Sequence, residues 1–458
     1  MSKEAKPINW KKNLFFIWLA EICSRAGFSM SLPFIAYYMR DRFGMGDEAV
    51  KTGMMWYSTA GSVALFLSFP LWGMVGDRMG RRPMLLRAMF CSGILYVSFM
   101  FAPAVGILIL LRFVAGFVSG TVSPAQALAV STSPENKQGF ALGVVSSAVW
   151  SGNVFGLLGG LVVKYSSYND FWKSLFGFAN FDPDGIIVKN WSYYVAFSLT
   201  MILFLIGGFI VLFFVRENFV PPPLKPKAEK KGFFAGAAGF GCAVYAILGM
   251  FLWMSFARRC DESYISLMVE VVSGLKGKEA SHIMTMVAVP AALGSMLSAT
   301  FIGFFSDRLT MRQLLFPITI IGTIMMIGQA LSPTPVMLAG FRFMTFLVVG
   351  GLEPVVLGLL SRESPKEKKG TIFGYVASLR ILGLMFGTWF GRGVMKICDT
   401  YWADGISIFG VAIDSRGIGI RSVFLLGALT LLLMIPWIFF VERMVAKRHL
   451  QLEQAANN

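Results

Sequence analysis

Residues 73–86 read G-M-V-G-D-R-M-G-R-R-P-M-L-L. One apolar run ends there, a short basic turn follows, and a second apolar run begins. Gly73 and Gly76 permit close helix packing. Asp77 ends the first helix, where it can pair with a nearby arginine and meet a neighbouring helix. With Gly80 at the turn, Arg78, Arg81 and Arg82 mark the connection as an inside loop between two membrane spans.

The rest of the chain agrees with that reading. Of its 458 residues, 56% are apolar and 14% charged, against about 25% charged in an ordinary soluble domain. It contains 43 Phe and 27 Met, and apolar runs recur from end to end. This composition excludes a soluble enzyme, a disordered chain and a secreted disulfide scaffold. The five cysteines are scattered and form no C-x-x-C pair, so neither a metal site nor a disulfide framework is indicated. The first apolar run is long enough to span, so it reads as a retained helix and not as a cleaved signal.

A helix needs about 20 apolar residues to cross a bilayer core. Twelve such runs lie near 13–38, 52–76, 84–103, 105–131, 138–163, 191–215, 236–270, 281–305, 313–331, 334–361, 371–397 and 419–441. They are too long, and alternate too little, for barrel strands. With the N-terminus inside, the inside segments hold more than half of the 41 Lys and Arg and most of the net charge of +16. Both termini are therefore expected in the cytoplasm. The charge reports topology and not a nucleic-acid partner.

The stretch 216–235, R-E-N-F-V-P-P-P-L-K-P-K-A-E-K-K-G-F-F-A, reads as an extended cytoplasmic linker; the plainer reading is a long loop. It separates an N-terminal six-helix bundle, 1–215, from a C-terminal bundle with a cytoplasmic tail, 236–458. The halves also align. Gly73, Asp77, Arg78 and Arg82 recur at one offset as Gly303, Asp307, Arg308 and Arg312. Arg112, Gly120 and Pro124 recur as Arg342, Gly350 and Pro354. After one inserted residue, Ser133-Pro134, Gly143, Gly152, Gly156 and Gly160 recur as Ser364-Pro365, Gly374, Gly383, Gly387 and Gly391. The expected fold is all-α: twelve transmembrane helices in two pseudo-symmetric bundles, with a solute site between repeats near the midplane. Two outer loops, Ser174–Ile186 and Ser407–Ile418, read as small β-hairpins. They serve as a lid or partner-docking surface, or are plain surface loops.

Gly73–Arg82 resembles the signature of the major facilitator superfamily, G-x-x-x-D-R-x-G-R-R. The resemblance implies a latch (Gly73, Asp77, Arg78, Gly80, Arg81 and Arg82, with Asp307 and Arg308 in the second half) that holds the inner face closed and breaks on opening. Leu110–Gly120 resembles the superfamily's second motif, whose arginine, here Arg112, is linked to proton coupling. Gly152–Gly160 resembles the glycine-rich motif of the drug:proton antiporters, with Leu157 where that motif has proline. Pro7–Leu14, Pro70–Arg87 and Asn136–Gly143 resemble the MdtG-type multidrug efflux group. The helix-packing glycines implied are Gly152, Gly156, Gly160, Gly383 and Gly387.

Ionisable residues inside spans are expensive, so each marks a candidate site. Ten lie well inside these spans: Glu21, Asp261, Glu262, Glu353, Arg25, Arg112, Arg258, Arg259, Arg342 and Arg380. Glu21 and Arg25 lie one turn apart and share a face. They are either a structural pair, or Glu21 takes up a proton when Arg25 swings to substrate. Arg342 and Glu353 fall on one face of span 10, and Arg112 on one face with Ser123 and Gln126 in span 4. Arg112 can equally be a structural donor to backbone carbonyls. Arg258 can pair with Asp261 or Glu262, and the charged run there can instead mark a broken helix. Arg380 has no acid nearby in sequence and is the stronger anion anchor. The proton-coupling candidates are Glu21, Arg25, Arg112, Asp261, Glu262 and Glu353. The substrate-binding candidates are Arg25, Arg258, Arg259, Arg342, Arg380, Gln126 and Tyr375.

The chain has no Walker A sequence, His-x-x-x-His pair or nucleophile elbow, so ATP-driven pumping and enzyme chemistry have no support. The expected function is proton-coupled, alternating-access efflux of amphipathic or anionic small molecules across a bacterial inner membrane. The alternatives are proton-coupled uptake of an organic anion and lipid flipping. No metal or cofactor is expected; the proton gradient supplies the energy. The expected partners are the solute and membrane lipid, with the chain acting as a monomer.

Overall fold

The computed structural model describes residues 9–31, 35–166, 191–219, 241–262, 264–275, 278–365, 368–401, 406–408, 411–413 and 415–457. Among these, twelve helical rods follow in chain order. The first six are α1 (Trp10–Ser31), α2 (Asp47–Met79), α3 (Arg81–Met100), α4 (Val105–Val118, then Val122–Thr132), α5 (Gln138–Ser166) and α6 (Trp191–Phe214). The second six are α7 (Cys242–Arg259, then Ile265–Ser273), α8 (Lys278–Phe305), α9 (Met311–Leu331), α10 (Pro335–Val349, then Leu352–Glu363), α11 (Lys369–Tyr401) and α12 (Ser415–Leu432, then Met434–Asn457). A short helix, Ile35–Phe43, follows α1. By length and composition, nine helices among the described residues can cross a membrane. The chain is a multi-pass, all-α membrane protein.

Its one described sheet is small. Ile406–Ile408 pairs antiparallel with Val411–Ile413, Ser407 opposite Ala412. This falls in the outer loop read as a hairpin. The other such loop, Ser174–Ile186, lies outside the described residues, as does most of the linker 216–235.

The helices form two compact units. One contains Met1–Ser133, Ala148–Pro226 and Glu367–Gly374; the other contains Pro134–Ser147, Lys227–Lys366 and Tyr375–Asn458. Each unit therefore includes the opening turns of a helix whose remainder belongs with the other. Within the first unit α1 packs on α6, α3 on α6 and α2 on α4. Within the second, α7 packs on α12, α9 on α12 and α8 on α10. The internal repeat is thus a repeat of packing.

Helix ends are tied by side chains. Asn13 joins α1 to the end of α6: its Nδ2 donates to the Arg216 carbonyl at 3.1 Å and its Oδ1 accepts from the Arg216 amide at 2.8 Å. Thr310 and Gln313 form a reciprocal cap on α9. Tyr38, on the short helix, donates to the carbonyls of Phe99 and Met100 and seals the end of α3.

Glycines set the closest approaches. A Cβ on Gly73 would strike the carbonyl of Gly370, and one on Gly374 the carbonyl of Phe69. The repeat positions do the same: a Cβ on Gly303 would lie 2.8 Å from the Gly139 carbonyl, and one on Gly143 would strike that of Ala299. Backbone cannot rotate away as a side chain can. Gly143→Val is therefore expected to lower stability by about 1–3 kcal/mol. Gly340→Ala, with nothing within 4 Å of its Cβ, is expected to be neutral or slightly stabilising. The thermal midpoint of the detergent-purified protein, followed by intrinsic fluorescence, separates the two.

Candidate functional site

The first unit contains a buried carboxylate. Glu21, on α1, is 0% exposed. Its Oε2 accepts from the Thr121 hydroxyl at 3.1 Å, and that hydroxyl lies 3.0 Å from Ser24 Oγ. Its Oε1 has no hydrogen-bond partner among the described residues. Thr121 reaches Glu21 because α4 breaks at Ser119–Thr121, where Gly120 takes φ +96°. The break is packed tightly, since a Cβ on Gly120 would lie 2.7 Å from the Phe69 ring. Arg25 follows one turn after Glu21, and Gly152 of α5 permits its approach: a Cβ there would strike Arg25 Cβ. Gly156 does the same opposite Ser29.

Arg112 lies before the α4 break and Ser123 and Gln126 lie after it, so the continuous face read from the sequence is interrupted. The buried Arg112 guanidinium sits 5.1 Å from the Phe28 ring centre and 5.2 Å from that of Tyr57. A Cβ on Gly61 would fall 2.6 Å from its Nε. Gln126 is buried in the second half of α4.

The second unit holds two ionic clusters. Arg342 Nη1 donates to Asp261 Oδ2 at 2.7 Å and to Gln329 Oε1 at 3.1 Å, while Gln329 Nε2 donates to Thr345 Oγ1 at 2.6 Å. Asp261 lies in the break of α7, between Arg259 and Ile265, so the charged run does mark a broken helix. Glu262, half-buried, is next to it; the Arg259 side chain lies outside the described features. In the other cluster Glu353 accepts from Arg380 Nη2 and pairs with Arg258 Nη1 at 3.6 Å.

Two sequence expectations change here. Arg342 and Glu353 do not act on one face, because α10 breaks at Gly350–Gly351 and sends them to different clusters. Arg380 is not a lone anchor, because an acid remote in sequence meets it. Tyr375 is buried near the start of α11. On the same helix, Gly383 leaves room for Ser255 (a Cβ would lie 2.6 Å from its Cβ), and Gly387 is buried. Gly160 lies in α5.

The basic loop is a capping device. Asp77 Oδ1 accepts from the Gly370 amide at 2.7 Å and from Arg81 Nη2 at 3.3 Å. Its Oδ2 accepts from the Thr371 amide at 2.7 Å and hydroxyl at 2.8 Å. Asp77 therefore caps the start of α11. Asp307 caps the start of α5 in the same way, from the Gly139 amide at 2.9 Å and the Phe140 amide at 2.8 Å. Here the arginine is Arg362, at 2.9 Å. Arg82 Nη2 donates to the Leu212 carbonyl at 2.6 Å, and Glu217 accepts from the amides of Arg81 and Arg82 at 3.0 and 2.8 Å. Gly80, at φ +99°, turns the chain between α2 and α3. Arg78 is exposed, and Arg308 sits 4.4 Å over the Phe304 ring.

Sequence reasoning missed Glu217, read as linker, and the capped glycines Gly139 and Gly370. A signal for the glycines exists: each follows a Ser-Pro pair, Ser133-Pro134 and Ser364-Pro365, at the same spacing.

Comparison with known proteins follows the same lines. A sequence model of the Major Facilitator Superfamily matches residues 17–180 and 184–388. The chain is 28% identical over 399 residues to multidrug resistance protein MdtG of Klebsiella pneumoniae (strain 342), covering 86% of this chain and 89% of that protein. It is 28% identical over 393 residues to MdtG of Rahnella sp. (strain Y9602), covering 85% and 88%. The human organic anion transporter MFSD10 (TETRAN) superposes with a TM-score of 0.69 at 13% identity, over 93% of this chain and 100% of that one. The E. coli fucose:proton symporter FucP superposes with a TM-score of 0.64 at 11% identity, over 94% and 99%. These structural likenesses bear on the fold alone.

The two caps share no residue, so Asp77→Ala and Asp307→Ala are expected to destabilise independently. Each strands at least two amides, at about 1–3 kcal/mol per donor left unpaired. In a double-mutant cycle read by thermal midpoint, the losses add to within about 0.5 kcal/mol.

Proposed function

The chain belongs to the Major Facilitator Superfamily, and from that premise we propose that it is a proton-driven exporter of amphipathic or anionic small molecules. It is a membrane transporter and not an enzyme. In this reading it is a secondary active transporter that works by alternating access, as a monomer surrounded by lipid, in a bacterial inner membrane with both termini cytoplasmic. It needs no cofactor beyond the proton gradient. The names of its MdtG relatives, multidrug resistance proteins, support export as the direction.

The observation that carries the proton half is Glu21. A carboxylate shielded from water, with one oxygen held by a hydroxyl and the other unmet, can exist either as a charge or as a proton carrier. Arg25, one turn away, is the cation whose movement toward a solute would decide between them. The Asp77 and Asp307 caps supply the proposed latch: their hydrogen bonds hold helix starts in one state and release them in another.

A second reading, proton-coupled uptake of an organic anion, draws on Arg258 and Arg380 converging on Glu353. Two guanidinium forks converging on one acid suit an anion.

Proteoliposomes test both readings. Solute-driven proton movement is expected in the wild type and is expected to vanish in Glu21→Gln, while solute exchange without a gradient persists. A Glu21→Gln protein with full proton movement removes Glu21 as carrier. If organic anions move inward with protons and drug-like compounds do not move, uptake replaces export.

A further inference from the structure

We propose that Arg258 and Arg380 form the head-group subsite for a singly charged amphipathic anion, and that Glu353 is its resident stand-in, displaced when the solute binds. This deepens the reading of the chain as a transporter of amphipathic or anionic solutes, and rests on it for the solute class.

The two ionic clusters of the second unit differ in a way that singles out this one. Arg342 and Asp261 are sealed, at 5% and 4% side-chain exposure, and Gln329 completes their bonding. That is a structural pair. Glu353, Arg380 and Arg258 are open at 17%, 18% and 13%. Arg380 donates through Nη2 to the acid, but its Nε has no hydrogen-bond partner. A guanidinium presents a planar fork suited to two oxygens of one carboxylate, sulfonate or phosphate. Glu353 leaves that fork part-used.

Charge and shape narrow the ligand further. Two guanidinium groups converge on Glu353, an arrangement that favours a monoanion over a neutral solute or a cation. Arg258 also lines a small cavity with Asp261, Met326, Thr345, Phe346 and Val349. Met326, Phe346 and Val349 offer an apolar wall for the solute's body. The head would sit at the guanidinium groups and the body beside them.

Displacement leaves Glu353 with some compensation. It lies in the first turn of the second half of α10, immediately after the Gly350–Gly351 break. A helix start favours a negative charge, so the freed carboxylate keeps a partner in the backbone.

The sign of one substitution separates this role from a structural one. If Glu353 merely holds the bundle together, removing its charge weakens the site. If it competes with the solute, removing its charge strengthens binding. The probe is tritiated naphthalene-2-sulfonate, a permanent monoanion, with naphthalene-2-sulfonamide as its neutral counterpart. Binding is read by equilibrium dialysis of the full chain in lipid nanodiscs. Glu353→Gln is expected to bind the sulfonate about tenfold tighter, equivalent to about 1.4 kcal/mol, with the sulfonamide unchanged. Arg380→Gln and Arg258→Gln are each expected to weaken sulfonate binding by about tenfold or more. Should Glu353→Gln fail to fold, Glu353→Asp carries the same test, because its shorter carboxylate withdraws from Arg380.

Unchanged or weaker sulfonate binding in the Glu353 variant overturns the proposal. Export of the sulfonate and of tetraphenylphosphonium from proteoliposomes, run in parallel, keeps the two claims apart. Export of the cation without the predicted sulfonate pattern sinks the subsite and leaves the exporter standing. The predicted pattern without export of either compound upholds the subsite and sinks the exporter.

Discussion

Two aspartate carboxylates bear on everything else in this fold. A helix start exposes up to four amide donors that its own backbone cannot satisfy. Away from water, each unmet donor costs about 1–3 kcal/mol. Asp77 and Asp307 each meet two such donors on another helix, with a negative charge placed where the helix dipole favours it. The carboxylate can reach because the capped helix has a glycine as its second residue. A Cβ on Gly370 would lie 2.6 Å from Asp77 Oδ1, and one on Gly139 would lie 2.9 Å from Asp307 Oδ1. The signature stretch at Gly73–Arg82 and the glycines after each Ser-Pro pair are therefore two sides of one contact.

The rods that break do so at chemically chosen places. Prolines 70, 290 and 317 lie inside helices that continue past them. Apart from an apolar break at Leu433 in α12, the interruptions among the described residues fall at Ser119–Thr121 in α4 and Gly350–Gly351 in α10, each just before a proline (Pro124, Pro354), and after Arg259 in α7. Non-helical backbone at membrane depth must be met by neighbouring protein groups. Each of these breaks carries or adjoins one member of a polar cluster: Thr121 for Glu21, Asp261 for Arg342, and Glu353 for Arg380. Breaking the helix frees the residue from helical spacing and lets it face a partner that the periodic surface would miss.

That is also why the sequence was legible in some places and opaque in others. Apolar run length and the basic loops are local properties, and they yielded the helical rods. The Gly and Asp offsets yielded the pairing of Gly73 with Gly303 and Asp77 with Asp307, which the structure repeats as contacts. Helical periodicity failed for Arg342 and Glu353, because it assumes an unbroken α10. It failed for Arg380, because its acid lies on another helix and no spacing rule reaches across helices. Glu217 looked like linker because its role depends on where α6 ends, against the start of α3.

The repeat shows which parts of the design are general and which are particular. Arg112 and Arg342 are repeat equivalents, yet Arg112 rests between the rings of Phe28 and Tyr57 while Arg342 binds Asp261 and Gln329. At the same offset, Phe28 becomes Arg258 and Ser31 becomes Asp261. Glu21, in turn, has Phe251 as its counterpart. The caps and close-approach glycines occur in both halves, whereas the buried acids Glu21 and Asp261 do not fall at equivalent positions. A symmetric scaffold of helix ends thus carries an asymmetric set of charges. A buried charge costs too much to retain without compensation. Asp261 is compensated inside the fold by Arg342. Glu21 has one oxygen unmet, and Arg380 has one donor unmet, so in each the compensation is incomplete within the chain itself. In the reading proposed above, those two positions, one in each unit, are where the proton and the solute bind.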